Sequence, residues 1–179
     1  MGIAVRADVF YRNVVNAAGE MAFIGVHPVA LGNYHASVIV FAGNDSNLLE
    51  LYDYYLRNTF HGLRYATMGA GASTWNITGY VMAGFNRERD AELWRKNEMI
   101  HLSTNNPSSY ELLFTGTQNF IDNRHSLSAG IQYALFPMGN AGNSNSFAHG
   151  LVRYAGFNTV TPRSNVPGWS IPIEAQFFE

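Results

Sequence analysis

The chain has 179 residues, 47% hydrophobic and only 13% charged, with a formal net charge of −2 and no cysteine. This composition excludes charge-driven disorder, disulfides, thiolate metal sites and a cysteine nucleophile, and it suits a single domain around one hydrophobic core. The one basic concentration, Arg87, Arg89, Arg95 and Lys96, is interleaved with Glu88, Asp90 and Glu92, so no face is set to neutralise a run of phosphates and nucleic-acid binding is not expected.

No apolar run approaches the ~18 residues of a membrane span, and the N-terminus lacks a basic stretch followed by an apolar export signal. The expectation is a soluble chain without a transmembrane segment or signal peptide. Its core should lie at about residues 20–156, with a Pro-containing tail at 157–179.

Residues Glu20–His27 are apolar and β-rich. After Pro28 and a Gly32-Asn33 turn comes Tyr34–Phe41. Here Tyr34, Ala36, Val38 and Val40 should face one way and His35, Ser37, Ile39 and Phe41 the other. Both faces become apolar toward the end, as in a central strand that enters the core. His35 therefore stands near the mouth of a buried strand.

Asn47–Asn58 reads as a short amphipathic helix or an aromatic-rich connection. Tyr65–Ala70, Ile77–Asn86 and Glu98–Leu102 read as strands, and Arg87–Lys96 as a surface loop or helical turn. Asn106-Pro107-Ser108-Ser109 opens a helix over Tyr110–Asn123, with Glu111 complementing its dipole. Ile131–Phe136 reads as a short strand. A turn-rich loop then leads into a helix over Ser144–Ala155, stopped by Gly156. The tail, with Pro162, Pro167 and Pro172, should wrap the surface in extended form.

The sharpest chemical feature is Asn143-Ser144-Asn145-Ser146-Phe147 at the start of that last helix. A helix N-terminus offers free N–H groups and a positive dipole end, which suits a nucleophile and an oxyanion hole. Asn and Ser are also the ordinary helix caps, so the same residues fit a purely structural role. Of the six histidines, His35 is the candidate base because a buried strand holds it rigidly, and His149 is expected on the outer, solvated face of the last helix. No HExxH, paired-His spacing or carboxylate cluster marks a metal site, and no cofactor is expected. Gly69-Ala70-Gly71 has neither a Walker lysine nor the last glycine of a dinucleotide loop, and reads as a tight turn.

Several segments resemble a known group: YHASVIVF (34–41), YATMGAGAS (65–73), GFNRERD (84–90), YALFP (133–137), NSNSFAHGLVRYAG (143–156) and PGWSIP (167–172). Their order is similar to that of the circularly permuted papain-like peptidases, the NlpC and lecithin:retinol acyltransferase-like clan. Such domains occur in secreted, polymorphic-toxin and phage-associated bacterial proteins. The resemblance spans about residues 34–172 and implies an α+β fold with a mostly antiparallel sheet packed by a few helices.

It also implies a site. Ser144 takes the place of the clan's nucleophilic cysteine, His35 that of the general base, and Asn143, Asn145 and Ser146 form the substrate and oxyanion neighbourhood. Serine must lose its proton during attack, so the change from cysteine leaves either a Ser/His hydrolase or a silenced site. The residue that should orient the imidazole is open among Tyr65, Thr67 and His61.

The implied activity is hydrolysis of an amide bond in cell-wall peptides, as in an antibacterial effector opposed by a cognate immunity protein and exported alone or within a larger secreted chain. A second reading gives the same site an acyl-lipid substrate, and a third makes the domain a non-catalytic binding module.

Overall fold

A computed structural model describes residues 4–5, 19–29, 32–73, 79–93, 98–123, 130–139, 141–158, 161–162 and 165–179. Seven strands form one antiparallel sheet: β1 (Ala4–Val5), β2 (Glu20–Pro28), β3 (Tyr34–Ala42), β4 (Asn58–Phe60), β5 (Leu63–Ala72), β6 (Val81–Phe85) and β7 (Glu98–Leu102). Their order is β1-β7-β2-β3-β5-β4, and β6 lies against the second half of β5, beyond β4. Among the described residues four α-helices, α1 (Leu48–Leu51), α2 (Glu88–Leu93), α3 (Ser109–Asn123) and α4 (Ser144–Tyr154), and a 3-10 turn at Ala175–Phe177 accompany the sheet. The chain is thus an α+β domain with an antiparallel sheet.

The strand alternation divides the sheet into two faces as its period of two requires. Ala22, Ile24, Val26, Ala36, Val38, Val40, Ala66 and Met68 turn toward α3 and α4, where they meet Leu113, Phe114, Phe147, Leu151 and Val152 in the main core. Phe23, Ile39, Phe41, Leu63, Tyr65 and Met99 form a smaller cluster on the opposite face. His27 and His35 share the parity of this second face, and α2 packs over β5.

The sheet also splits. β3 and β5 pair from Val38↔Met68 to Ala42↔Arg64, and the ladder stops short of Tyr34 and Ala36. There the Asn145 side chain takes the place of a strand, accepting from the Ala36 N–H at 2.7 Å and donating to the Tyr34 carbonyl at 3.0 Å. The start of α4 is therefore seated in the gap between two core strands, at the residues that flank His35.

Several expectations are revised. Asn47–Asn58 is helical only over α1. Ile131–Phe136 makes isolated bridges at Gln132 and Tyr133 instead of a strand. The expected strand from Ile77 is described only from Val81, and Ile77 and residues 94–97 of the expected charged surface segment lie outside the described residues. The tail is not a surface wrapping: Trp169, Ile173 and Phe178 are buried, and Phe178 packs against Phe120, Phe147 and Tyr154. Its apolar residues complete the core beside α3 and α4. Prolines confine regular structure there to a 3-10 turn at Ala175–Phe177 but do not prevent burial. Gly156 ends α4 in the left-handed region, φ 78°, as its place after the helix anticipates.

Candidate functional site

The hairpin of β2 and β3 sets His27 directly opposite His35. Cross-strand neighbours on one face lie within side-chain contact, and the two imidazole rings stand 4.8 Å apart, tilted by 38°. The third member comes from α2. Asn86, at the end of β6, has a left-handed φ of 50°, a conformation asparagine tolerates. Its side-chain oxygen accepts from the Thr67 N–H and from the Asn58 amide, and its amide donates to the Tyr55 carbonyl. This knot fixes the turn into α2, so that Asp90 descends onto the sheet above Gly69.

Asp90 is almost fully enclosed. Its Oδ1 lies 2.8 Å from His35 Nε2 and 3.5 Å from His27 Nε2. The side chains of His27 and Asp90 are 2% and 3% exposed, whereas that of His35 keeps 15%. Burial would raise the Asp90 carboxyl. The adjacent His35 and His27 and the nearby Arg87 outweigh burial and hold it well below the usual carboxylate range.

This cluster forms one wall of a cavity of about 290 Å³. Arg87, Arg89 and Tyr133 stand on the other sides. The Arg87 guanidinium lies over Gly71, where a Cβ would meet it at 2.4 Å, and donates to the Met82 carbonyl at 3.2 Å.

The serine site expected at α4 has a different construction. Asn143 caps the helix: its side-chain oxygen accepts from the N–H groups of Asn145 and Ser146 at 2.9 and 3.0 Å, and its amide donates to the carbonyls of Leu135 and Pro167. Two of the N–H groups assigned to an oxyanion are thereby occupied. Asn145 is spent on Tyr34, Ala36 and Pro167, and the Ser146 hydroxyl on the Gly168 carbonyl. Asn143, Asn145 and Ser146 thus join the helix to the tail and the sheet and do not form a substrate neighbourhood.

Ser144 is buried, 5% exposed, and its hydroxyl makes no hydrogen bond to an imidazole among the described residues. It does not line the cavity that His35 lines. The direct Ser144–His35 pair is not formed: Asn145 brings the two backbones near, but the imidazole is turned to Asp90. Nor is His149 solvated. Its ring stacks on Trp169 at 4.7 Å, and Nδ1 contacts the Trp169 carbonyl.

Sequence reasoning reached His35 and passed over its partners. His27 reads as an ordinary strand-end residue until the hairpin register is known. Asp90 is 63 residues from His27 along the chain and sits in a charged run that looks solvated. Gly69-Ala70-Gly71 is not the expected tight turn: it lies within β5, where Gly69 lets Asp90 rest on the strand. No protein-family model matches the chain, and neither a curated protein nor a solved structure matches it significantly.

Proposed function

We propose that the chain is a hydrolase whose reacting centre is the His27–His35–Asp90 cluster, acting on an amide or ester bond bound in the adjoining cavity. One observation carries the reading: the buried Asp90 carboxyl lies 2.8 Å from an imidazole that keeps its exposure at a cavity wall. A carboxylate so placed fixes the ring and stabilises the imidazolium that forms when His35 takes a proton from an attacking water. Asp90 is the orienting partner that an active His35 requires, and His27 completes its enclosure.

The substrate class we favour is a peptide of the bacterial cell wall. Arg87 and Arg89 at the rim supply cations for a substrate carboxylate, and the order of a strand-borne histidine followed by a helix-opening Ser144 is that of the permuted papain-like group. An effector role, with an immunity protein as partner, belongs to the same proposal.

The test uses the purified full chain with p-nitrophenyl acetate and with isolated peptidoglycan. Turnover should fall by about 10²–10⁴-fold in His35→Gln, as for loss of a general base, and survive in Ser144→Ala. Labelling by a fluorophosphonate, together with loss of turnover in Ser144→Ala, would transfer the attack to the serine. Absence of turnover on both substrates, or full activity in His35→Gln, would defeat the hydrolase reading.

A further inference from the structure

Four buried polar atoms lack a hydrogen-bond partner: His35 Nε2, Ser37 Oγ, Thr67 Oγ1 and Asp90 Oδ2. All four belong to the second face of the sheet or to the helix that covers it. A protein interior rarely leaves such atoms unpaired, because each loses its hydration without a replacement partner. The Asp90 carboxylate lies beside both His35 and Ser37. Ser37 Cβ and Asp90 Oδ2 both border the Cβ position that Gly69 leaves open.

The contacts within the cluster are themselves informative. His35 Nε2 and Asp90 Oδ1 are 2.8 Å apart, yet the nitrogen makes no hydrogen bond, so the oxygen lies off the direction in which the ring N–H would point. His27 Nδ1 is 3.4 Å from the Pro28 carbonyl. With the proton on that nitrogen, His27 Nε2 presents a lone pair toward Asp90 Oδ1, itself an acceptor. In that tautomer the converging lone pairs of His27 and Asp90 form a ready site for a cation. A backbone carbonyl on the far ring nitrogen is also the usual support for a metal-binding histidine.

We propose that His27, His35 and Asp90 bind a divalent transition-metal ion of the zinc class. The three residues offer two imidazole nitrogens and a carboxylate oxygen, all within 4.8 Å of one another. Ligand atoms at the bond lengths zinc prefers lie about 3 to 3.5 Å apart from each other, and the two nitrogen–oxygen separations are 2.8 and 3.5 Å. The nitrogen donors select against calcium and magnesium, which favour all-oxygen shells. Three protein ligands leave a fourth position, and the cavity beside His35 provides room for it.

The binding rests on the cluster geometry alone, whereas the role of the ion rests on the hydrolase reading above, with the bound ion replacing His35 as the group that activates the water. In that role a water at the fourth position ionises near neutral pH and its hydroxide adds to the substrate carbonyl carbon. The carbon–nitrogen or carbon–oxygen bond breaks, and the proton released by the water passes to the departing atom. Products are a carboxylic acid and an amine or alcohol, with no other reactant consumed.

The experiment is a calorimetric titration of the chelator-stripped full chain with Zn²⁺, paralleled by visible absorption with Co²⁺. The expected result is one ion per chain and intense Co²⁺ bands of a four-coordinate site. His35→Gln, His27→Gln and Asp90→Asn should each weaken Zn²⁺ binding by about 100-fold or more, the upper end of what even supporting residues contribute. His101→Gln, outside the cluster, should leave it unchanged. Circular dichroism identifies variants that fail to fold, and His35→Gln, the most exposed member, carries the test if the other two do.

No Zn²⁺ uptake by the folded chain, or uptake that survives all three substitutions, overturns the metal site. The two readings fail separately. One bound Zn²⁺ without turnover keeps the site and removes the hydrolase. Turnover unaffected by chelation, with no Zn²⁺ bound, removes the metal and leaves His35 and Asp90 as a metal-free base pair.

Discussion

Asp90 Oδ2 lies 2.0 Å from the position that a Cβ on Gly69 would occupy. The carboxylate thus rests directly on the backbone of a central strand, and it can do so only because residue 69 has no side chain. Asp90 is sealed by His27, His35 and α2, so it has no free direction in which to retreat. Gly69→Ala should therefore overpack the site, costing about 1–3 kcal/mol and displacing the carboxylate from His35. Urea denaturation would measure the first effect, and hydrolysis and Zn²⁺ titration the second. A variant of unchanged stability and activity would show that the contact is easily relieved.

Asn145 makes three side-chain hydrogen bonds, to the Ala36 N–H and to the carbonyls of Tyr34 and Pro167. It joins β3 to the tail at a point where β5 no longer pairs. Asn145→Ala removes the side-chain partner of the Ala36 N–H and the Tyr34 carbonyl, while the Pro167 carbonyl keeps the Asn143 amide, and the expected loss is about 2–3 kcal/mol. Ser144→Ala, one residue away, should change stability by no more than about 0.5 kcal/mol, the scale of a helix-propensity difference. Denaturant midpoints of the two variants, measured side by side, test the assignment of this motif to architecture. A larger loss in Ser144→Ala would return that hydroxyl to importance.

The strands were largely legible because alternation along Tyr34–Phe41 and the apolar run at Glu20–His27 are local signals. The split of β3 into a helix-facing and an opposite-facing set follows the same period. What could not be read was any relation set by register or by the turn into α2. His27 meets His35 only through hairpin pairing, and Asp90 arrives only because Asn86 fastens the preceding turn to Thr67. The NSNSF motif was conspicuous for a reason that composition does not reveal: three of its polar side chains bond to backbone groups distant in sequence. The tail misled because its prolines are a local signal, whereas the burial of Trp169 and Phe178 depends on the surface left open by α3 and α4.

His149 gives the stability a pH dependence whose sign is fixed by its surroundings. Burial lowers its proton affinity, Arg153 adds to that effect, and the bond to the Trp169 carbonyl offsets part of it. The folded value lies below the ordinary 6.5 of the unfolded chain, so the unfolded state binds the proton more readily. The contribution is complete above that ordinary value and is lost as the pH falls through the folded value. The half-buried His101 is shifted the same way by burial. Melting temperature should fall between about pH 7 and about pH 5, and His149→Gln should make that slope shallower. An unaltered slope would place the titration elsewhere.

Phe178 tests whether the C-terminal segment belongs to the core. It is fully buried, and its ring centroid lies 5.4 Å from that of Phe120, 5.7 Å from Phe147 and 5.6 Å from Tyr154. The backbone beside it is anchored as well, since the Asn119 amide donates to the Phe178 carbonyl at 3.0 Å. Phe178→Ala removes a ring shared by both long helices, and such a truncation costs about 3–5 kcal/mol. Phe136→Ala, at a side chain 61% exposed, should be close to neutral and serves as the control. Urea denaturation followed by tryptophan fluorescence measures both variants, with Trp169 reporting from within the tail. Equal, small losses would mean that the tail rests on the domain without completing it. The predicted large difference would instead make α4 dependent on the tail, because Ser146 and Asn143 bond to the same segment that Phe178 fastens at its far end.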